Sequence, residues 1–209
     1  MVLQAHMTMQ EFIALVEDNP EKHFDFNAAG EVIETAHTRR PSWIQVQVAH
    51  ILMLFFEGGT LPGYEVLTEC AHELNGWPCR PDVSVDAVGE SEIPTMAPLL
   101  AVEIKSDSNS LKDLRAKARR YLEHGTAMVW LIFPERRFIE VYQAGADDQI
   151  LFAEDRLDGS TVLPGFSVMV ADLLYPEQTK YYRKIQSGPN TAIIQLDLGR
   201  STADECGST

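Results

Sequence analysis

One run constrains the fold of this 209-residue chain more than any other: Leu99-Leu100-Ala101-Val102-Glu103-Ile104-Lys105, bounded by Pro98. Its first four residues are apolar without alternation. A strand of that pattern has no wet face, so it belongs inside a sheet covered on both sides. Two charges then arrive at its C-terminal end. Side chains two apart on a strand share a face, so Glu103 and Lys105 point one way and Ile104 the other. A carboxylate and an ammonium this close to an apolar core are costly unless paired or bound to a cation.

The rest of the chain supplies the cover. Thr8 and Glu11 fit a capping box that opens a short helix; Met9, Phe12, Ile13 and Val16 form its apolar face, and Asn19-Pro20 ends it. Residues 23–35 alternate roughly, with Gly30 near a turn, and predict a hairpin or an edge strand pair. A second helix starts near Pro41, carries Ile44, Val48, Ile51, Leu52 and Phe55 on one face, and closes at Gly58-Gly59. Tyr64–Glu73 reads as one strand, Asn75-Gly76 as a tight turn and residues 82–87 as another strand. Leu111–His124 reads as a helix capped by Gly125. Ala127–Phe133 and the alternating residues 138–143 read as partner strands. Asp158-Gly159 marks a turn, and Ser167–Val170 a last short strand. No repeat and no linker rich in Pro, Gly or Ser interrupts this order. It predicts one α/β domain over residues 1–186, with a central mixed β-sheet flanked by helices. Residues 187–209 lose periodicity and are expected to form a flexible tail.

Composition narrows the function. Lys and Arg number 17 against 31 Asp and Glu, a formal net charge of −14. That argues against a protein that coats nucleic acid or binds an anionic membrane surface electrostatically. The basic charge is not spread evenly, however: residues 111–145 hold seven Lys and Arg against four Asp and Glu. Cys70, Cys79 and Cys206 form no C-x-x-C pair, and the six histidines show no H-x3-H spacing, so no zinc site or disulfide scaffold is suggested. The opening MVLQAHMTMQ lacks a basic n-region and a long apolar stretch, and Ile51–Phe56 is too short to span a bilayer. A soluble cytoplasmic protein is expected. Nothing matches a phosphate-binding G-x4-G-K-[ST] loop, and Ser106 and Ser108 have no nearby His partner for a serine hydrolase.

The chemistry lies in Pro81-Asp82, then 20 residues, then Glu103-Ile104-Lys105. Asp82 stands at the start of a short strand. Two carboxylates meeting at one point suit a hard divalent cation with oxygen ligands, and the Ile104 carbonyl could add another oxygen. Such a cation polarises a phosphoryl oxygen and lowers the pKa of a bound water. A nearby Lys can orient that water or neutralise charge developing on phosphate. By spacing alone, an ion pair that merely supports the sheet is an equal reading.

The pattern Pro-Asp followed by Glu-x-Lys resembles the signature of the PD-(D/E)XK nuclease superfamily, and more specifically the chain resembles the Uma-type family of restriction endonucleases. The resemblance is carried by Gly30-Glu31, Arg80-Pro81-Asp82-Val83-Ser84-Val85 and Val102-Glu103-Ile104-Lys105-Ser106. The row Asp113, Lys117, Tyr121, Gly125 continues it, followed by Trp130-Leu131-Ile132, Pro134 and Val141-Tyr142. It closes on Leu163-Pro164-Gly165-Phe166-Ser167 and Asp172-Leu173-Leu174, so that it spans roughly residues 8–175. It implies a restriction-endonuclease-like core acting as an endonuclease on DNA. It implies Asp82 and Glu103 as ligands of Mg (or Mn), and Lys105 as the catalytic lysine. Glu31 is an auxiliary acidic candidate, with Glu34 its equal by sequence, and Lys117 is a candidate for reaching into the site. Many members carry a His just before the second helix; here that stretch reads Arg40-Pro41-Ser42-Trp43.

The helix after the Glu103 strand is the chain's most basic segment. Lys112, Arg115, Lys117 and Arg119 are candidates for contact with phosphates beside the site. A solvated charged face without a partner is the competing reading. A catalytically weak binding module on the same fold, and an RNA or structure-specific nuclease, remain alternatives. A two-fold homodimer would suit a palindromic duplex.

Overall fold

The computed structural model describes residues 2–4, 7–36, 38–59, 61–107, 109–174, 182–188 and 191–197. Contacts divide the chain into two compact units, Met1–Leu174 and Tyr175–Thr209.

The first unit begins with β1 (Val2–Gln4), α1 (Met9–Asp18), β2 (His23–Phe26), β3 (Val32–Thr35) and α2 (Arg39–Glu57). Next come β4 (Tyr64–Thr68), β5 (His72–Leu74), β6 (Trp77–Cys79), β7 (Val83–Ala87) and β8 (Leu100–Ile104). It ends with α3 (Leu111–Glu123), β9 (Met128–Phe133), β10 (Phe138–Gln143), β11 (Gln149–Phe152), β12 (Arg156–Asp158), β13 (Ser167–Met169) and α4 (Val170–Leu174).

The central sheet has six strands in the order β11-β10-β9-β8-β7-β4. Strands β8 and β9 run parallel, joined by the α3 crossover, and every other neighbouring pair is antiparallel. The sheet is therefore mixed, as the interleaved sequence predicts. All five residues of β8 and all six of β9 are buried, which is the two-sided cover that their unbroken apolar runs require. One core cluster packs α3 through Leu114, Ala118 and Tyr121 against Ala101, Val129 and Leu131. A second cluster joins Met9 and Phe12 of α1 to Phe24, Phe26 and Val32 of the first hairpin.

The first helix starts where the capping box places it. Glu11 N–H donates to Thr8 Oγ1 at 3.3 Å, and Thr8 N–H donates to Glu11 Oε2 at 2.8 Å. Thr8→Ala removes the reciprocal cap, and a loss of about 1 kcal/mol is expected. Thermal unfolding should show it as a fall of about 2–4 °C. The turn of the β2–β3 hairpin needs Gly30, which has φ +78° and whose Cβ would lie 3.0 Å from Pro78 Cδ.

The predicted strand Tyr64–Glu73 is divided. Its first five residues form β4, paired with β7, and Glu69 then takes φ +55° and turns the chain out of the sheet. The hairpin β5–β6 follows around Asn75 and Gly76, both at positive φ. No Gly or Pro stands at the Glu69 break, so the sequence carries no turn signal for it. Trp77, which follows the Asn75-Gly76 turn, is 2% exposed; it meets Tyr121 edge-on and stacks on His124. Cys70 and Cys79 are free thiols, and Cys206 lies outside the described residues.

Within the second unit, β14 (Tyr182–Gly188) and β15 (Thr191–Asp197) pair antiparallel, with Ile185 opposite Ile194. The tail expected over 187–209 contains this second strand, and its other residues lie outside the described ones apart from the end of β14.

Candidate active site

The register of β7 and β8 brings the two carboxylates together. Val83 pairs with Val102 in antiparallel fashion, so the next step along each strand sets Asp82 against Glu103. Twenty residues of intervening chain only return the second strand to the first. Asp82 then folds back on the neighbouring strand: its Oδ2 accepts the Ile104 N–H at 2.5 Å. Glu103 is 2% exposed, on the face of β8 that α3 covers. Its Oε1 accepts the Tyr121 hydroxyl at 2.9 Å and lies 2.9 Å from Lys117 Nζ. Among the described residues, Asp82 Oδ1 and Glu103 Oε2 have no hydrogen-bond partner.

Lys117 is also buried. Besides Glu103 it pairs with Asp25 Oδ2 at 3.1 Å and donates to the Arg80 carbonyl at 3.2 Å. An ammonium has three protons, and these three acceptors use them all. Lys117 and Tyr121 belong to the i, i+4 row of α3 that begins at Asp113, so one helix face delivers both partners of Glu103.

Beside this cluster lies a cavity of about 40 Å³, bounded by Asp25, Glu69, Asp82 and Glu103 with Gln45 and Ser42 of α2. That space holds a water molecule or a small cation. Gln45 Nε2 donates to Glu69 Oε1 at 3.0 Å and to the Asp82 carbonyl at 3.1 Å, while Arg80 pairs with Glu69 at 2.9 Å.

The electrostatics are those of crowded acids. Loss of hydration pushes the Asp82 carboxyl well above its ordinary range, and the negative Glu103, Glu69 and Asp25 push it further, against the Ile104 N–H. Burial likewise raises Glu103, Lys117 pulls it partly back, Asp25 raises it again, and it rests at about 7. For Lys117, burial works against the charge, but Asp25 and Glu103 outweigh it and hold the ammonium above its usual value.

A consequence for stability follows from the Glu103 value. Between about pH 4.5, where an unfolded Glu ionises, and about pH 7, the folded chain holds a proton that the unfolded chain has released. Stability in metal-free buffer therefore falls as pH rises through that window. The difference between wild type and Glu103→Gln should change by on the order of 2–3 kcal/mol from pH 4.5 to 8. Denaturant melts at several pH values measure it, and a difference that stays flat would contradict the assignment.

The structure brings Asp82, Glu103 and Lys117 together and sets the other candidates elsewhere. Lys105 lies one residue beyond β8, half-buried, and its Nζ donates to the Ser106 carbonyl; Ile104 and Ser106 line the cavity, and Lys105 does not. Glu31 is held in the hairpin turn, where Asn27 Nδ2 donates to its Oε2 at 2.8 Å. Glu34 pairs with Lys22. The acid that does reach the cavity from this hairpin is Asp25, which the sequence reading missed. Its signal is the polar residue between Phe24 and Phe26 on β2, whose rings point into the core. On α3, Arg115 pairs with Glu140, and Arg119 pairs with Asp148 and lies 4.7 Å over the Tyr142 ring. These two arginines sit two residues either side of Lys117, hence about 160° round the helix from it. Lys112 is exposed.

The donor set fits a hard divalent cation of the Mg type. Among the described residues no three His, Cys, Asp or Glu side chains converge into a ready-made cage. Mg, however, commonly takes only one or two protein carboxylates and keeps several waters. Asp82 and Glu103 each offer one oxygen not engaged by a protein donor, beside a cavity of matching size.

Among the described residues, no helix is long and apolar enough to cross a membrane. No curated protein matches the sequence. A solved structure from Anabaena variabilis, described as a "putative nuclease belonging to DUF820", shares the fold with a TM-score of 0.68 at 20% identity. The match covers 80% of this chain and 97% of that one. The family model Uma2, described as "Putative restriction endonuclease", matches residues 9–172, which include every side chain of the cavity; the chain belongs to that family.

Proposed function

We infer that the protein is a divalent-cation-dependent nuclease that hydrolyses phosphodiester bonds in DNA. The observation that carries this reading is the facing pair Asp82 and Glu103, each tied to the protein by one oxygen. Asp82 and Glu103 would hold Mg or Mn, which when bound polarises a phosphoryl oxygen and acidifies a water.

The protein's own groups prepare that site. Ile104 N–H orients Asp82, and Tyr121 with Lys117 locks the Glu103 side chain, so little reorganisation remains when charge develops. Lys117 also offsets part of the negative charge of Asp25, Glu103 and Asp82. Lys105, at the end of β8, is placed by sequence pattern to orient the attacking water. On this reading Lys105→Ala lowers cleavage about 10²–10⁴-fold, the usual worth of a proton-handling group, and leaves cation affinity unchanged. Single-turnover rates beside calorimetric Mg titrations separate the two effects.

The direct test mixes the full-length protein with supercoiled plasmid, linear duplex, single-stranded DNA and RNA, in Mg, in Mn and in chelator. Cleavage of DNA with cation and none with chelator is expected. No cleavage of any of the four with either cation would overturn the reading, and cleavage of RNA alone would overturn the choice of DNA.

A further inference from the structure

The geometry points to a rim of arginines, Arg39 and Arg40 on α2 with Arg136 and Arg137 in the β9–β10 turn, as the surface that takes the backbone phosphates of duplex DNA. This rests on the nuclease reading above and adds the face by which substrate reaches the site.

The four residues are distant in sequence and come from two elements. The cavity wall includes Thr35 and Ala36 and, from the first turn of α2, Pro41 and Ser42; Arg39 and Arg40 directly precede Pro41 in that turn. Arg40 lies 3.6 Å from Glu135, which ties the start of α2 to the β9–β10 turn. That turn stands at the end of β9, next to the end of β8: Lys105 N–H donates to the Ile132 carbonyl at 2.8 Å. Arg136 and Arg137 follow Glu135 directly, and both are exposed, as is Arg39. Arg137 has φ +60°, a conformation that glycine would adopt more cheaply.

Charge decides between this face and its rivals. A phosphate strand approaching Glu103 meets Asp25, Glu69 and Asp82 as well, and Lys117 is already paired with Asp25 and Glu103. Positive charge must come from the rim. The hollow of about 340 Å³ on the other side of Lys117 is lined by Asp25, Glu34 and Asp113, and repels phosphate. On the outer face of α3, Arg115 and Arg119 are matched by Glu140 and Asp148. On the rim, Arg39 and Arg136 are exposed, and the Arg40–Glu135 contact, at 3.6 Å and with Glu135 mostly exposed, is loose enough to exchange for a phosphate.

The test measures binding of a fluorescent duplex by anisotropy across a salt series, with all proteins carrying Glu103→Gln to prevent cleavage. Adding Arg39→Ala and Arg136→Ala together should weaken binding roughly 10-fold or more at low salt and flatten the salt slope by about two units. Arg115→Ala with Arg119→Ala is the rival pair. The inference is overturned if that pair costs as much as the rim pair, if the rim pair costs less than 2-fold, or if the parent protein binds no duplex. Cleavage by wild type in Mg is scored in parallel. Cleavage with an unimpaired rim variant sinks the rim and leaves the nuclease reading standing; rim-dependent binding without cleavage does the reverse.

Discussion

Asp82→Asn or Glu103→Gln should reduce cleavage by about 10³-fold or more, while the folded protein becomes more stable in the absence of metal. Each substitution keeps size and shape. What it removes is a charged oxygen ligand at the cavity, and with it several kcal/mol of help to the reacting phosphate. The rise in stability has the opposite origin. Burial and mutual repulsion push both carboxyls above their ordinary range, so at pH 8 each ionised group is held at a cost that a neutral amide does not carry. For Glu103→Gln a gain of on the order of 1–3 kcal/mol is expected in chelator. Mg should raise the melting temperature of wild type and leave the variants nearly unmoved, because only a state that binds the ion gains from it. Melts with and without Mg, beside a cleavage series, check both halves. Normal activity in either variant, or lowered metal-free stability in both, would count against a metal site here.

The second large effect belongs to Lys117. Lys117→Met keeps the aliphatic bulk and removes the ammonium that three acceptors share. Breaking a buried pair by removing one member leaves an uncompensated charge, and a loss of about 3–5 kcal/mol is expected at pH 8. The loss should shrink at pH 5.5. Without Lys117 the Glu103 carboxyl is raised further above its present value of about 7, so at the lower pH it is protonated and needs no partner. Adding Glu103→Gln to Lys117→Met should restore much of the stability, and a double-mutant cycle gives the coupling directly. Equal destabilisation at both pH values, with no coupling, would mean that Lys117 acts through packing alone. Activity should be lost in either single variant, since Lys117 fixes the side chain that the cation needs.

Much of this fold was legible because its signals are local. The unbroken apolar run before Glu103, the capping box at Thr8, the Asn75-Gly76 turn and the amphipathic α3 each depend on residues a few positions apart. The break at Glu69 was not legible, because a non-glycine residue takes the positive φ and no Gly or Pro marks the turn. The site divides the same way. Asp82 and Glu103 announce themselves by type and by place at strand ends. Asp25 is one carboxylate among many acids, and only the packing of β2 beside the α3 face carrying Lys117 singles it out. The basic helix misleads for a related reason: sequence shows the charge of Arg115 and Arg119 and hides Glu140 and Asp148, which neutralise it.

The residues alone therefore determined the buried strand, the mixed α/β layering around it and the pair of acids at its end. These follow from hydrophobic period and from the cost of burying charge, both of which are written in neighbouring residues. The tertiary structure decided which lysine touches Glu103. It also decided which acid joins the pair and which arginines stand at the rim. Those choices depend on strand register and helix rotation, which bring together side chains tens of residues apart. A shift of one residue in either would have turned Lys117 from the carboxylates to the solvent.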